Sequence, residues 1–213
     1  MDIIGGKPGK MPVAVLISGT GRTLKELIHR VHRNTLPLDI RVVISSTPNA
    51  KGLQYAEIHN LPIEVIERKD FESDKEFSEA LFSVCRRYEV ELVVLAGFIR
   101  KLDVPEDFRN RVINTHPSLA PAFCGKNYYG NHVHEAVLDS GVKVTGCTVY
   151  FLDNTYDTGP VISQHAVPVH DDDTLDTLEP RVFAVECDAF AEALARIAEK
   201  GVTVEGRKVQ FRD

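Results

Sequence analysis

From residue 13 onward, short apolar runs of strand length alternate with stretches whose apolar residues recur along one helical face. This alternation constrains the fold more than any other feature of the chain. A strand that is apolar throughout must be covered on both sides, and the helices that join parallel strands provide that cover. The pattern predicts an α/β protein, a mainly parallel twisted sheet with helices on both faces. Residues 13–18 (VAVLIS) read as the first strand and residues 19–21 as the turn that follows it. Leu24, Leu27, Ile28 and Val31 then recur at the helical period and carry a helix to about Arg33.

Strands are expected at 40–46, 63–66 and 92–95, and a helix at 50–60. A further helix follows the stripe Phe77, Leu81, Val84, Cys85 and Tyr88, with Ser73 or Asp74 as its cap. Residues 111–116 (RVINTH) read as a short strand halted by Pro117, residues 134–140 as helix, and 144–152 and 161–169 as two β segments. Pro180 is incompatible with a regular helix interior, so the last long helix is expected to begin between Thr174 and Thr177 and to run to about Lys200. Residues 203–211, around Glu205-Gly206, suit a terminal hairpin. No linker divides the chain, which reads as one domain over 1–213 with residues 1–12 as an N-terminal extension and 201–213 as a C-terminal hairpin.

With 213 residues, the chain can bury about 70% of its unfolded surface without disulfide or metal staples. Its 25 basic and 31 acidic residues leave a net charge of −6, which removes the long-range attraction a sequence-independent nucleic-acid binder needs. An anionic small molecule needs only local positive groups and stays possible. No apolar run approaches the roughly 18 residues of a membrane span, and the first twelve residues lack an apolar targeting core. Cys85, Cys124, Cys147 and Cys187 are scattered, without a C-x-x-C pair, and read as free thiols. The expectation is a cytoplasmic protein with no membrane and no nucleic-acid partner.

The first βα turn, Ser18-Gly19-Thr20-Gly21-Arg22-Thr23, aims free backbone N–H groups and a positive helix end above the sheet, which suits a phosphate. Leu24 and the Ser45-Ser46 strand ending break the dinucleotide fingerprint. Arg22 adds a fixed cation, although an ordinary tight turn with an arginine in solvent explains the same residues.

Asn114 and His116 lie two apart at the carboxyl end of a strand, so both side chains share one face and open onto the region where such sheets bind ligands. An amide that donates to a developing oxyanion and an imidazole that exchanges protons suggest acyl transfer without an enzyme nucleophile. Cys124 paired with His116 is the competing arrangement, and an inert thiol is the simpler one. Asp157, in Tyr156-Asp157-Thr158-Gly159-Pro160, is the natural carboxylate partner for the imidazole, but the same residues make good turn chemistry. From spacing alone both readings of Asp157 stand.

The blocks VLISGTGRTL, LAGFIRKL, NTHPSLAPAF and YDTGPVI, in this order, resemble the phosphoribosylglycinamide formyltransferases, within the folate-linked formyltransferase and deformylase superfamily. The likeness runs from about residue 13 to about residue 200. It implies a Rossmann-like formyltransferase fold and transfer of a formyl group from the co-substrate 10-formyltetrahydrofolate to the amine of glycinamide ribonucleotide, in purine biosynthesis. It further implies that Asn114, His116 and Asp157 are catalytic, that Gly21, Arg22 and Thr23 hold the phosphate, and that Glu186 binds the ribose. Ile99, Arg100 and Leu102, with Asn114, Asp153, Asn154, Tyr156 and Asp157, are the implied folate contacts, and Lys101 stands beside them. No metal is implied, and the state is monomer or homodimer.

The chain departs from the family pattern at several positions. Arg22-Thr23 replaces a small residue and an asparagine, and Tyr150 stands where relatives often place a histidine. Asp74 stands where some carry an arginine, and no role is transferred to it. The stretch 125–134 (GKNYYGNHVH) is longer than in the shortest relatives. His132 and His134, at i and i+2 of a helix, do not share a face and suggest no metal site. Asp171, Asp172 and Asp173 read as a charged loop capping the last helix.

Three alternatives follow from the same residues. A deformylating hydrolase would share the Asn, His and Asp, but usually carries an N-terminal regulatory domain for which the residues before the first strand leave no room. Transfer to initiator tRNA would call for a C-terminal RNA-binding domain. A non-catalytic nucleotide-phosphate-binding module would use the glycine turn alone.

Overall fold

The computed structural model describes residues 3–155 and 158–212. Along the chain the elements are β1 (Met11–Ile17), α1 (Arg22–His32), β2 (Leu38–Ser45), α2 (Leu53–Ile58), β3 (Ile63–Val65), α3 (Asp74–Arg87), β4 (Leu92–Leu95) and β5 (Val112–His116). They are followed by α4 (Asn131–Ser140), β6 (Val144–Phe151), β7 (Val161–Pro168), α5 (Leu175–Lys200), β8 (Val202–Glu205) and β9 (Lys208–Phe211). A seven-stranded sheet has the order β3-β2-β1-β4-β5-β6-β7. The strands from β3 to β5 are parallel, while β6 runs antiparallel to β5 and to β7. β8 and β9 form the expected hairpin, turning at Gly206 with φ 59°.

The central strands are apolar throughout because they feed two cores. Val13, Val15 and Ile17 enter one, whereas Ala14 and Leu16 enter the other. The same division by alternate residues separates Leu92 and Val94 from Val93 and Leu95, as a side-chain period of two requires. Leu24, Leu27 and Ile28 of α1 and Phe190, Leu194 and Ile197 of α5 close the first core. Phe77, Leu81, Phe82 and Cys85 of α3 close the second. Ser73 caps α3, its side chain accepting from the Glu76 N–H at 3.2 Å.

Two expectations change. The second helix covers only Leu53–Ile58, because the preceding turn is drawn against the first βα turn: the Gly52 N–H donates to the Gly19 carbonyl at 3.0 Å. Pro180 lies inside α5, which starts at Leu175 as anticipated. Near the helix start the ring removes one backbone hydrogen bond, and the long apolar face beyond it, from Val182 to Ala198, holds the helix on the sheet.

The chain runs outward from β1 through β2 to β3, then returns to the other side of β1 with β4. The β1/β4 boundary is therefore the topological switch point, and the carboxyl ends of β1, β4 and β5 open together above it.

Candidate active site

The turn between β1 and α1 is held open by glycine. Gly21 has φ 71°, and a Cβ there would lie 2.4 Å from the Gly52 Cα, so only glycine fits. The start of α1 has neither a side-chain cap nor an acidic residue in its first turn, so its N–H groups stay available to an anion. Thr23 lines the main cavity, whereas Gly21 and Arg22 are not among its lining residues. Arg22 does not project freely into solvent: Nη1 donates to Glu179 at 2.8 Å, and the guanidinium lies 3.7 Å from the centre of the Phe183 ring.

Ser18, at the end of β1, joins two loops. Its hydroxyl accepts from the Ile99 N–H at 3.1 Å and lies 2.7 Å from the Ser46 hydroxyl, while its own N–H donates to the Gly97 carbonyl at 3.1 Å. The turn below α1 and the loop after β4 are thus fastened to one residue.

At the end of β5, Asn114 stands opposite Tyr150 of β6, and its Nδ2 donates to the Tyr150 hydroxyl at 2.6 Å. His116 is 5% exposed, and its Nε2 lies 2.8 Å from the Phe123 carbonyl. A carbonyl can only accept, so the proton of this bond is on Nε2. The loop after His116 is secured at several points. Ser118 Oγ donates to the Ala122 carbonyl at 2.6 Å, the Thr148 hydroxyl donates to the Ser118 carbonyl at 2.7 Å, and the Ala120 N–H donates to Thr148 Oγ1 at 2.9 Å. Sequence reading overlooked Ser118 and Thr148. Their contribution is to hold the carbonyl that orients the imidazole. Cys124 Sγ donates to the Pro121 carbonyl at 3.2 Å.

Asn114, His116, Thr23 and Glu186 all line one cavity of about 670 Å³. Ile99, Arg100, Lys101 and Leu102 form one side of it, with Asp153, Asn154 and Thr155 at another. Asn154 Oδ1 accepts from the Val104 N–H at 2.7 Å, which ties these two sides together. The Asp153 carboxylate accepts from the Thr155 N–H at 2.8 Å and from the Thr158 hydroxyl at 3.1 Å, so it organises its own loop. Tyr156 and Asp157 lie outside the described residues. Gly159 is required by a close approach, since a Cβ there would sit 1.7 Å from the Phe151 carbonyl oxygen.

Glu186, half-buried in the wall contributed by α5, has its carboxyl pushed up to about 7 by burial. The neighbouring Thr115 side chain and the Arg22 charge pull it back, and Glu179 adds to the rise. Thr115 Oγ1 itself makes no hydrogen bond of ordinary geometry among the described residues. A second buried imidazole, His134 of α4, is 4% exposed and also lines the cavity. Burial holds its pKa below the ordinary value, Glu179 opposes that shift, and His116 adds to it. His132 is exposed and pairs with Glu135 at 3.2 Å, so the two histidines do face apart.

Elsewhere the charged groups are structural. Asp74 receives the Arg68 Nε at 2.6 Å, and Asp173 takes both ends of the Arg181 guanidinium at 2.6 and 2.7 Å. Burial pushes the thiols of Cys85, Cys147 and Cys187 up to about 12, and all four cysteines are unbridged. No helix among the described residues is long and apolar enough to cross a membrane.

A switch-point cavity that combines open helix N–H groups, a strand-borne amide and an imidazole is the build of an α/β enzyme for small-molecule substrates. The family model described as formyl transferase matches residues 11–194, and the chain belongs to that family. It is 42% identical, over 92% of its length, to the trifunctional purine biosynthetic protein adenosine-3 of Gallus gallus. It spans only about a fifth of that protein, 19%. It is 34% identical to the phosphoribosylglycinamide formyltransferase of Bacillus subtilis, across 92% of this chain and 97% of that one. Among solved structures, glycinamide ribonucleotide transformylase 1 from Symbiobacterium toebii superposes with a TM-score of 0.89 at 36% identity, covering 97% of this chain and 96% of the other.

Proposed function

We propose that this chain transfers the formyl group of 10-formyltetrahydrofolate to the amine of glycinamide ribonucleotide. The carrying observation is that Asn114 and His116 of β5, Thr23 of α1 and Glu186 of α5 open onto one cavity flanked by the loops after β4 and β6. The names of the relatives that match it end to end support the same reaction.

In this reading the phosphate sits on the N–H groups of the first turn of α1, beside Thr23, and Glu186 takes the ribose hydroxyls. The folate ring lies against Ile99 and Leu102, with backbone of residues 153–155 at its edge, and Arg100 with Lys101 meets its glutamate tail. The amine nitrogen attacks the formyl carbon. As the C=O becomes an oxyanion, Asn114 donates to it through the N–H not committed to Tyr150. The attacking nitrogen loses a proton, His116 exchanges protons, and the folate nitrogen is protonated as its bond to carbon breaks. Asp157 sets the charge of the imidazole. Nothing is asked of a metal, and each group acts most strongly when charge develops, which is the condition for rate acceleration.

We further read residues 1–213 as one cytoplasmic domain, active as a monomer or homodimer. The test is to incubate the purified protein with 10-formyltetrahydrofolate, with and without glycinamide ribonucleotide. Tetrahydrofolate formed only with the ribonucleotide supports transfer. Formate released at the same rate without it identifies a hydrolase instead.

A further inference from the structure

His134 is a buried imidazole in the cavity wall to which the mechanism above gives no task. Its Nδ1 is sealed from solvent and has no hydrogen-bond partner among the described residues. The ring nevertheless lines the cavity, so Nε2 is the nitrogen it presents there. A neutral imidazole carries one N–H and one lone pair. Placing the hydrogen on Nδ1 would bury a donor with no acceptor, whereas placing it on Nε2 leaves only a lone pair unsatisfied and turns the donor toward the cavity. A charged ring would bury the Nδ1 donor as well. The lowered pKa agrees, with desolvation its largest cause.

The position identifies what such a donor would meet. His134 is close enough to Glu179 of α5 and to His116 for their charges to act on it. Glu179 in turn holds Arg22 at the start of α1. The ring therefore stands in the part of the cavity next to Glu179 of α5 and His116 at the end of β5. A neutral donor there matches a neutral acceptor such as an amide carbonyl.

We infer that His134 is a substrate-positioning residue, whose Nε2–H donates to the amide carbonyl of the amine-bearing substrate and so points the amine at the formyl carbon beside Asn114 and His116. This rests on the proposed formyl transfer for the identity of that substrate.

Two measurements test it. In kinetics, His134→Leu keeps the bulk but loses the donor, and His134→Gln places an amide N–H near the position of Nε2. The expected result for His134→Leu is a rise of about tenfold in KM for glycinamide ribonucleotide, the equivalent of one neutral hydrogen bond. The KM for 10-formyltetrahydrofolate stays within about twofold, and His134→Gln recovers most of the loss. An unchanged ribonucleotide KM, or a rise confined to the folate KM, overturns the inference. On the unmodified protein, ¹⁵N-histidine NMR reads the tautomer directly. The expectation is an Nε2–H ring at pH 7 whose Nε2 signal moves with glycinamide ribonucleotide and not with the folate. An Nδ1–H tautomer, an imidazolium, or a signal indifferent to the ribonucleotide refutes it. Failure of formyl transfer altogether would remove the substrate assignment while leaving the free-state tautomer to stand or fall on the NMR.

Discussion

Asn114 and Tyr150 face one another across the antiparallel β5/β6 pair, and the amide donates to the phenol at 2.6 Å. Tyr150 is 2% exposed, so the part-buried bond fixes which way the amide turns. We predict that Tyr150→Phe lowers kcat by about tenfold while leaving both KM values within about twofold, since it removes the bond that orients a donor. Steady-state kinetics checks this, and a variant at full rate would show that the phenol has no part in aiming the amide.

Removing the groups that meet developing charge should cost far more. Asn114→Ala is expected to lower kcat by roughly 10²–10³-fold through loss of an oxyanion donor. His116→Ala should lower it by roughly 10²–10⁴-fold through loss of proton exchange. Both variants should still bind the ribonucleotide, which calorimetry measures. Near-wild-type turnover in both would put the chemistry elsewhere in the cavity.

Glu186 makes stability depend on pH in a stated direction. Its carboxyl titrates at about 7 in the folded chain, against about 4.3 in an unfolded one. Between these values the folded state holds the additional proton, so the contribution of Glu186 falls as pH rises from about 4 to 7. Urea unfolding of Glu186→Gln at pH 5 and pH 8 should show a weaker decline than the parent, with a gain of roughly 1–2 kcal/mol at pH 8. An identical decline in both proteins would mean the carboxyl is not held above its ordinary range.

Asp173 works in the opposite sense. The Arg181 guanidinium beside it holds its carboxyl well below the usual carboxylate range. Its stabilising contribution is therefore full above about pH 4 and is lost as pH falls through the folded value. Asp173→Asn should lower the thermal midpoint at pH 7 by a few degrees, and the difference should narrow toward pH 2–3. A constant difference across that range would contradict the ion pair as its source.

The sheet was readable from the chain because its central strands are apolar on both faces, and a run such as VAVLIS has few other solutions. Asn114 and His116 were legible for the same local reason, a period of two ending at a proline. What escaped reading depends on distant pairings. Arg22 finds Glu179, 157 residues away, and Tyr150 meets Asn114 only through a β6 register that local pattern does not specify. The shortened α2 follows from contact with Gly21, and His134 shows its environment only once α4 lies against the cavity. Seen as half of a possible metal pair it carries no signal, whereas its burial and unpaired nitrogen are tertiary facts.

The Ser18 hydroxyl carries a consequence for any attempt to redesign the cavity. The residue that opens the glycine turn is bonded through one oxygen to Ser46 and to the strand-end loop at Ile99, so under the proposed reading the seats of acceptor and donor share a hinge pin. Recutting either seat for a foreign molecule would tilt its neighbour, and altered preference for one substrate should arrive coupled to altered preference for the other.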